Sequence, residues 1–211
     1  MEEYKAVIFD LDNTIFPTKT ITKEVAQPVL DAIKYSNENY FSDQEIKDIF
    51  SDCYCMPIRE IAVKYKFPKK IIDAVEIGFS RITIDYPLTT YKDYPVLRAI
   101  TAEKFLVTSG HTHLQNLKID NLKIRVDFKE IFIHDDNAPS HTGKINLFKF
   151  IQKKYQLNNH EVLVVGDNIN SEIYAGNSLG MTTVQILRES ITKEYGANYY
   201  INDFSELLAL L

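Results

Sequence analysis

Cysteine is nearly absent from this 211-residue chain. The two present, Cys53 and Cys55, are separated only by Tyr54, too close for an ordinary disulfide. With no second Cys pair and no His nearby in sequence, they complete no zinc site and read as small apolar side chains in or near a core. A basic excess is missing too. The 24 Lys and Arg are outnumbered by 29 Asp and Glu, a formal net charge of -5, which argues against a face for nucleic-acid polymers. No apolar run approaches the length of a membrane span, and the opening Met-Glu-Glu-Tyr-Lys has neither the basic region nor the apolar stretch of a signal peptide. The expected compartment is therefore the cytoplasm, with no membrane partner. Repeats and low-complexity tracts are also lacking. What remains, 45% hydrophobic and 25% charged, is an ordinary soluble composition, long enough for one domain with an insertion or for two small domains.

The chain is organised around Ala6-Val7-Ile8-Phe9-Asp10-Leu11-Asp12-Asn13-Thr14. Four apolar residues bounded by polar ones predict a strand buried on both faces, as in a parallel sheet covered by helices. It stops at two carboxylates one residue apart, followed by turn-forming Asn and Thr. In open α/β sheets chemistry gathers beyond the carboxyl ends of the strands. Two close carboxylates there invite a metal ion or divided acid and base roles.

After Asp12 the pattern turns helical for about seventy residues, judged against ordinary helix lengths. Ile21, Val25, Val29 and Ile33 share a helical face, and Ser42-Asp43-Gln44-Glu45 is a capping box. Pro57 suits the first position of a helix with Ile58, Ile61, Ala62 and Tyr65 on one stripe, and Pro68 that of another with Ile71, Ile72 and Val75. From Pro95 an α/β rhythm begins. A short helix runs to Ala102, and strands are expected at 104–107, 131–133, 162–165, 182–186 and 199–201, with helices near 111–117, 145–155, from Ser171 and at the end. The sum is an α/β fold, a doubly wound parallel sheet, with its core in 1–16 and 86–211 and a helical block in 17–85 inserted just after the acidic pair. That block would stand over the crevice, the layout of a capped active site.

Separate strands end in polar groups: Asp10 and Asp12, then Thr108-Ser109-Gly110, then Gly166-Asp167, while Gly143-Lys144 opens a helix. Small hydroxyl residues and a Gly ahead of a helix offer N–H donors to an anion. Lys144 supplies a point charge suited to phosphate, and Asp10, Asp12 and Asp167 supply the hard oxygen ligands that Mg²⁺ prefers. Together these make a phosphoryl site.

These stretches, Phe-Asp10-Leu-Asp12-Asn-Thr, Leu-Val-Thr108-Ser-Gly, Gly-Lys144 and Val-Val-Gly-Asp167-Asn-Ile-Asn-Ser-Glu172-Ile, resemble in order the four motifs of the haloacid dehalogenase superfamily, whose core is Rossmann-like. Residues 17–85 resemble the smaller cap that this superfamily inserts after its first motif. The resemblance implies that Asp10 is the nucleophile that becomes an aspartyl phosphate, and Asp12 the acid for the leaving oxygen and then the base for water. It implies that Thr108, with the amides of Ser109 and Gly110, binds phosphoryl oxygens, and that Lys144 holds nucleophile and phosphoryl group by charge. Asp167 would bind Mg²⁺ with the Asp10 carboxylate and the Asp12 backbone carbonyl, and Glu172, usually Asp there, directly or through water or else by holding Lys144. Ile follows Lys144 where the family often has Pro.

The implied activity is a Mg²⁺-dependent phosphatase acting on a small phosphorylated metabolite. Retention of Asp12 argues against a dehalogenase, since the dehalogenases lack this second Asp. The run Asp-Asn-Thr-Ile-Phe-Pro resembles the pyrimidine nucleotidase branch and points to a nucleoside monophosphate. A sugar-phosphate phosphomutase and a catalytically silent binding protein are the alternatives. His111 and His113 read as surface or helix-start residues, His134-Asp135-Asp136-Asn137 as a solvated loop, and Arg59 and Arg81 as surface charges.

Overall fold

Ala6–Phe9 form β1, with every residue buried. In the computed structural model, which describes residues 4–53, 58–135, 143–189 and 191–211, β1 is a central strand of a six-stranded sheet. The others are β2 (Glu103–Ser109), β3 (Glu130–His134), β4 (Val162–Gly166), β5 (Thr182–Ile186) and β6 (Tyr199–Ile201), in the order β3-β2-β1-β4-β5-β6. Every pairing is parallel. The order reverses at β1, so the crevice between the ends of β1, β2 and β4 is the topological switch point. Phe9 is level with Leu106 on one side and Val165 on the other. Asp10, Thr108 and Asp167 therefore all come within two residues of one level.

The pleat sends alternate residues to two cores. Val7, Phe9, Leu106, Leu163 and Val165 pack with Leu97, Ile119 and Phe204 on one face. Ile8, Phe105, Val107, Val162 and Val164 pack with Phe148 and Ile151 on the other. Burial on both faces is what the unbroken apolar runs predict.

A third apolar cluster belongs to α1 (Gln27–Ser36), α2 (Asp43–Asp52), α3 (Ile58–Lys64) and α4 (Lys69–Ser80). Among the described residues, 17–85 hold helices and turns and no strand. The Ser42 capping box is present, with Glu45 N–H donating to the Ser42 hydroxyl at 3.3 Å and Ser42 N–H donating to the Glu45 carboxylate at 2.8 Å. Other expectations shift. The first helix starts at Gln27, after 3₁₀ turns at Thr18–Thr20 and Lys23–Ala26, so Ile21 lies outside any helix and Val25 in a 3₁₀ turn. Pro28 explains the start, because its missing N–H is tolerated only in a first turn. Pro68 is the N-cap of α4 rather than its first residue, and Ile72 is 43% exposed, leaving Ile71 and Val75 as the buried stripe. Pro57 and Cys55 lie outside the described residues; Cys53 is half-buried and free.

The remaining helices serve the sheet: α5 (Thr112–Asn121), α6 (Gly143–Tyr155), α7 (Tyr174–Ser178) and α8 (Phe204–Leu207). The segment from Pro95 is a 3₁₀ helix, Tyr94–Ala99. The helix expected from Ser171 begins instead with a π turn at Ile169–Ile173 that carries Glu172. Such a turn inserts a residue into the ladder and re-aims the side chains of the next helical turn.

Candidate active site

Beyond β1 the chain makes a tight loop: the amides of Ile15 and Phe16 donate to the Leu11 carbonyl, and Asn13 N–H donates to the Phe16 carbonyl at 2.7 Å. Asn13 adopts φ 55°, a left-handed conformation that Asn tolerates better than most residues. The loop splits the acidic pair: Asp10 is buried among core groups, whereas the Asp12 side chain is 24% exposed and faces α5.

Asp10 meets Lys144, the second residue of α6, whose ammonium lies 2.5 Å from Asp10 and 2.8 Å from Glu172. Lys144 and Glu172 are both buried. The other Glu172 oxygen accepts from Asn168 N–H at 2.7 Å. Carboxylate oxygens of Asp10, Asp167 and Glu172 lie within 4.8 Å of one another. Burial raises the Asp10 carboxyl to about 7, with Lys144 opposing the shift and Glu172 and Asp12 adding to it. Burial, followed by repulsion from Asp10 and Glu172, raises Asp167 to about 8. For Lys144 burial pulls downward, but the two carboxylates outweigh it and hold the ammonium above the usual lysine range. One buried cation thus faces three crowded carboxylates. That imbalance, made of hard oxygens alone, fits a small divalent cation such as Mg²⁺. The Asp12 side chain stands outside this cluster.

Thr108, the next-to-last residue of β2, is fully buried, and its hydroxyl accepts from the Gln115 side-chain amide at 2.6 Å. The same amide donates to Asp12 at 2.9 Å and to the Ser109 carbonyl at 3.0 Å. Gly110 holds φ 138°, a region nearly reserved for glycine, and a Cβ there would stand 3.2 Å from the Gln115 side chain. Lys118, one turn further along α5, donates to both Asp12 oxygens at 2.9 and 3.1 Å. Sequence reasoning missed Gln115 and Lys118. A buried Gln and Lys three residues apart on one helix face was the available signal, but burial cannot be read from spacing alone.

A cavity of about 650 Å³ opens beside Asp12, Ser109 and Gly110 and runs under the helical block, where Val25, Val29, Ile61 and Phe79 are among its walls. Arg59, expected as a surface charge, lines this cavity and is half-buried. Arg81 is exposed. His111 stacks on Phe79 at 4.2 Å and its Nε2 lies 3.1 Å from Glu76, while His113 Nε2 lies 3.0 Å from the Ile82 carbonyl. Both therefore bridge α5 to the helical block. The loop reading at His134 ends outside the described residues, since Asp136 and Asn137 are not among them, and His134 itself is the last residue of β3.

Known proteins share this fold. The profile of the haloacid dehalogenase-like hydrolases matches residues 7–186. The chain belongs to that family. It is similar to glyceraldehyde 3-phosphate phosphatases: 27% identical to that of Methanocaldococcus jannaschii over 98% of this chain and 96% of the relative, and 24% identical to that of Pyrococcus furiosus over 100% and 94%. Among solved structures it resembles a HAD phosphatase from Thermococcus onnurineus, with TM-score 0.62, 25% identity and coverage of 98% and 97%. It also resembles the HAD-hydrolase YfnB of Bacillus subtilis, solved bound to magnesium, with TM-score 0.58, 16% identity and coverage of 100% and 99%. As a member of this family the chain is a hydrolase, and its fold is the parallel α/β core that the strand endings predict.

Proposed function

We propose that this hydrolase is a Mg²⁺-dependent phosphatase of small phosphate monoesters, working through an aspartyl phosphate on Asp10. The observation that carries the reading is the Lys144 ammonium wedged between Asp10 and Glu172, with Asp167 completing the oxygen cluster at the switch point of the sheet. Asp10, Asp167 and Glu172, with the Asp12 backbone carbonyl, would hold the ion. Mg²⁺ held there would supply the positive charge that an anionic nucleophile needs to approach an anionic substrate. An Asp10 oxygen attacks phosphorus as the bond to the leaving oxygen breaks, and Asp12 gives that oxygen its proton. Water then attacks the phosphorus of the aspartyl phosphate, Asp12 takes the water's proton, and the Asp10–phosphorus bond breaks to release phosphate. The buried Thr108 hydroxyl and the Ser109 amide are the donors for the transferring group, whereas the Gly110 N–H, expected as a third, donates instead to the His134 carbonyl at 2.9 Å; Lys144 keeps its charge beside the group.

Residues 17–85 act as a cap in this reading. Its support is their own apolar cluster and the cavity beneath them. A volume of about 650 Å³ is in the range that takes a whole drug-sized ligand. This supports a nucleoside monophosphate, whose base would use the apolar walls. A second substrate, glyceraldehyde 3-phosphate, is favoured by the activity named for the matched relatives. Among the described residues no helix is long and apolar enough to cross a membrane, and we place the enzyme in the cytoplasm with a small phosphorylated metabolite as its partner.

The test is phosphate release from nucleotides, triose and hexose phosphates, with Mg²⁺ or EDTA, and Asp10→Asn as the blank. Release that needs Mg²⁺ and vanishes in the blank is expected. Isomerised sugar phosphate without release indicates a mutase, and Mg²⁺ binding without turnover a silent binding protein; either overturns the reading.

A further inference from the structure

The cluster on α5 does something that the four motifs do not account for. Helical spacing puts Gln115 and Lys118 on one face, and both side chains are buried, at 1% and 6% exposure. Between them they occupy both oxygens of Asp12 with three hydrogen bonds. Gln115 also reaches Thr108 and Ser109, so one amide ties the acid to the phosphate-binding loop. An amide nitrogen has two hydrogens, and three acceptors must share them.

The adjoining face of the same helix is the seat of the helical block. Leu114 and Leu117 pack into its apolar cluster, and His111 and His113 meet Phe79, Glu76 and Ile82. At the far end of α5, Asn121 donates to the Tyr86 carbonyl at 2.9 Å and accepts from Leu88 N–H at 2.7 Å, pinning the segment by which the chain returns to the sheet. A single short helix thus touches the block with one face and the proton-transfer carboxylate with the next.

We propose that Lys118 and Gln115 are positioning residues for Asp12, and that α5 makes the setting of this carboxylate depend on the seat of the helical block. The inference rests on the phosphatase reading for what Asp12 does. It stands on its own for where Asp12 is held. Lys118 aims the carboxylate at the leaving oxygen and later at water, and Gln115 fixes its rotation against the Thr108 loop. Without the ammonium, the Asp12 oxygens lose two of their three hydrogen bonds and the side chain turns toward the open cavity.

The experiment compares wild type, Lys118→Met, Lys118→Arg and Gln115→Leu on p-nitrophenyl phosphate and on glyceraldehyde 3-phosphate. Nitrophenolate departs without a proton, whereas an alkoxide needs one. Lys118→Met is expected to lower kcat on the alkyl ester about 100-fold, the scale of general acid catalysis, with KM changed less than about threefold. On the aryl ester it should leave a stoichiometric burst of nitrophenolate followed by slow turnover, because only breakdown of the aspartyl phosphate still needs Asp12. Lys118→Arg should recover most of the activity and Gln115→Leu should show the same leaving-group pattern more weakly. Asn121→Ala, remote from the reacting atoms, should lower kcat on the alkyl ester several-fold and spare the aryl burst. A raised KM at unchanged kcat would make Lys118 a substrate-binding cation and overturn the proposal, as would loss of the nitrophenolate burst itself with no rescue by Arg. Crystal structures of Lys118→Met and Gln115→Leu decide the geometry whatever the activity. An Asp12 carboxylate left in place in both sinks the proposal. Loss of all release in wild type would instead sink the phosphatase reading.

Discussion

Glu172 holds Lys144 with one carboxylate oxygen, at 2.8 Å, and the Asn168 amide with the other, at 2.7 Å. The longer side chain thus spans from its π turn to the lysine while remaining part of the oxygen cluster. Glu172→Gln keeps the size and loses the charge. A neutral amide there pairs less well with the buried ammonium and contributes less to a cation site. The Mg²⁺ concentration for half-maximal activity should rise about 10- to 100-fold, the usual cost of disturbing a metal's surroundings. A Mg²⁺ titration of phosphate release checks it, and an unchanged midpoint would confine Glu172 to supporting the lysine.

Gly166, the last residue of β4, makes room for that side chain. A Cβ at this position would stand 2.2 Å from the Glu172 Cγ, far inside contact. Gly166→Ala must push Glu172 out of the buried cluster or open the sheet end. Overpacking of this kind costs about 1–3 kcal/mol. Both a lowered Tm and weakened Mg²⁺ dependence are expected. A fall in Tm with normal Mg²⁺ dependence would show that the displaced group is something other than Glu172.

The raised carboxyls of Asp10, about 7, and Asp167, about 8, set a pH dependence. In the unfolded chain both titrate near pH 4. Between about pH 4 and 8 the metal-free folded protein therefore binds more protons than the unfolded chain, and its stability must fall as pH rises through that window. Mg²⁺ requires the ionised carboxylates, so its binding strengthens over the same range and opposes the loss. In EDTA, Tm should decline from pH 5 to pH 8, and saturating Mg²⁺ should flatten or reverse the decline. A Tm that climbs with pH in EDTA would contradict the burial of Asp10 and Asp167.

Residues that chemistry forces to strand ends were legible in the sequence. Asp10, Thr108, Lys144 and Asp167 each come after an apolar run or open a helix, and the parallel register brings those ends to one level. The Ser42 box was legible for the same local reason. Long-range partners were not. Nothing in the spacing of α5 says that Lys118 turns inward to Asp12, 106 residues earlier, because a lysine on a helix is by default solvated. The start of α1 was misplaced because the apolar period runs on through the 3₁₀ turn at Lys23–Ala26, while Pro28 dictates where the α-helix begins. Arg59 likewise carries no local sign that it lines a cavity.

The helical block has one point where packing leaves no slack. Gly78 on α4 lies so close to α1 that a Cβ would stand 2.8 Å from the Val29 Cα and 2.9 Å from the Pro28 carbonyl oxygen. Both are backbone atoms, and no rotamer change relieves them, so Gly78→Ala must drive α1 and α4 apart. Its φ is not in the glycine-only region, and alanine favours a helix by about 1 kcal/mol over glycine. Against that gain stands an overpacking cost of about 1–3 kcal/mol. The net expected effect is a destabilisation concentrated in the third apolar cluster, because neither helix belongs to the sheet's two cores. Native-state hydrogen exchange separates local from global loss. The amides of α1 and α4 should exchange faster in Gly78→Ala, while those of β1 and β4 keep their protection. Equal loss in the sheet would mean that the block and the core unfold as one unit, and a variant as protected as wild type would show that the two helices have room the contact distances deny.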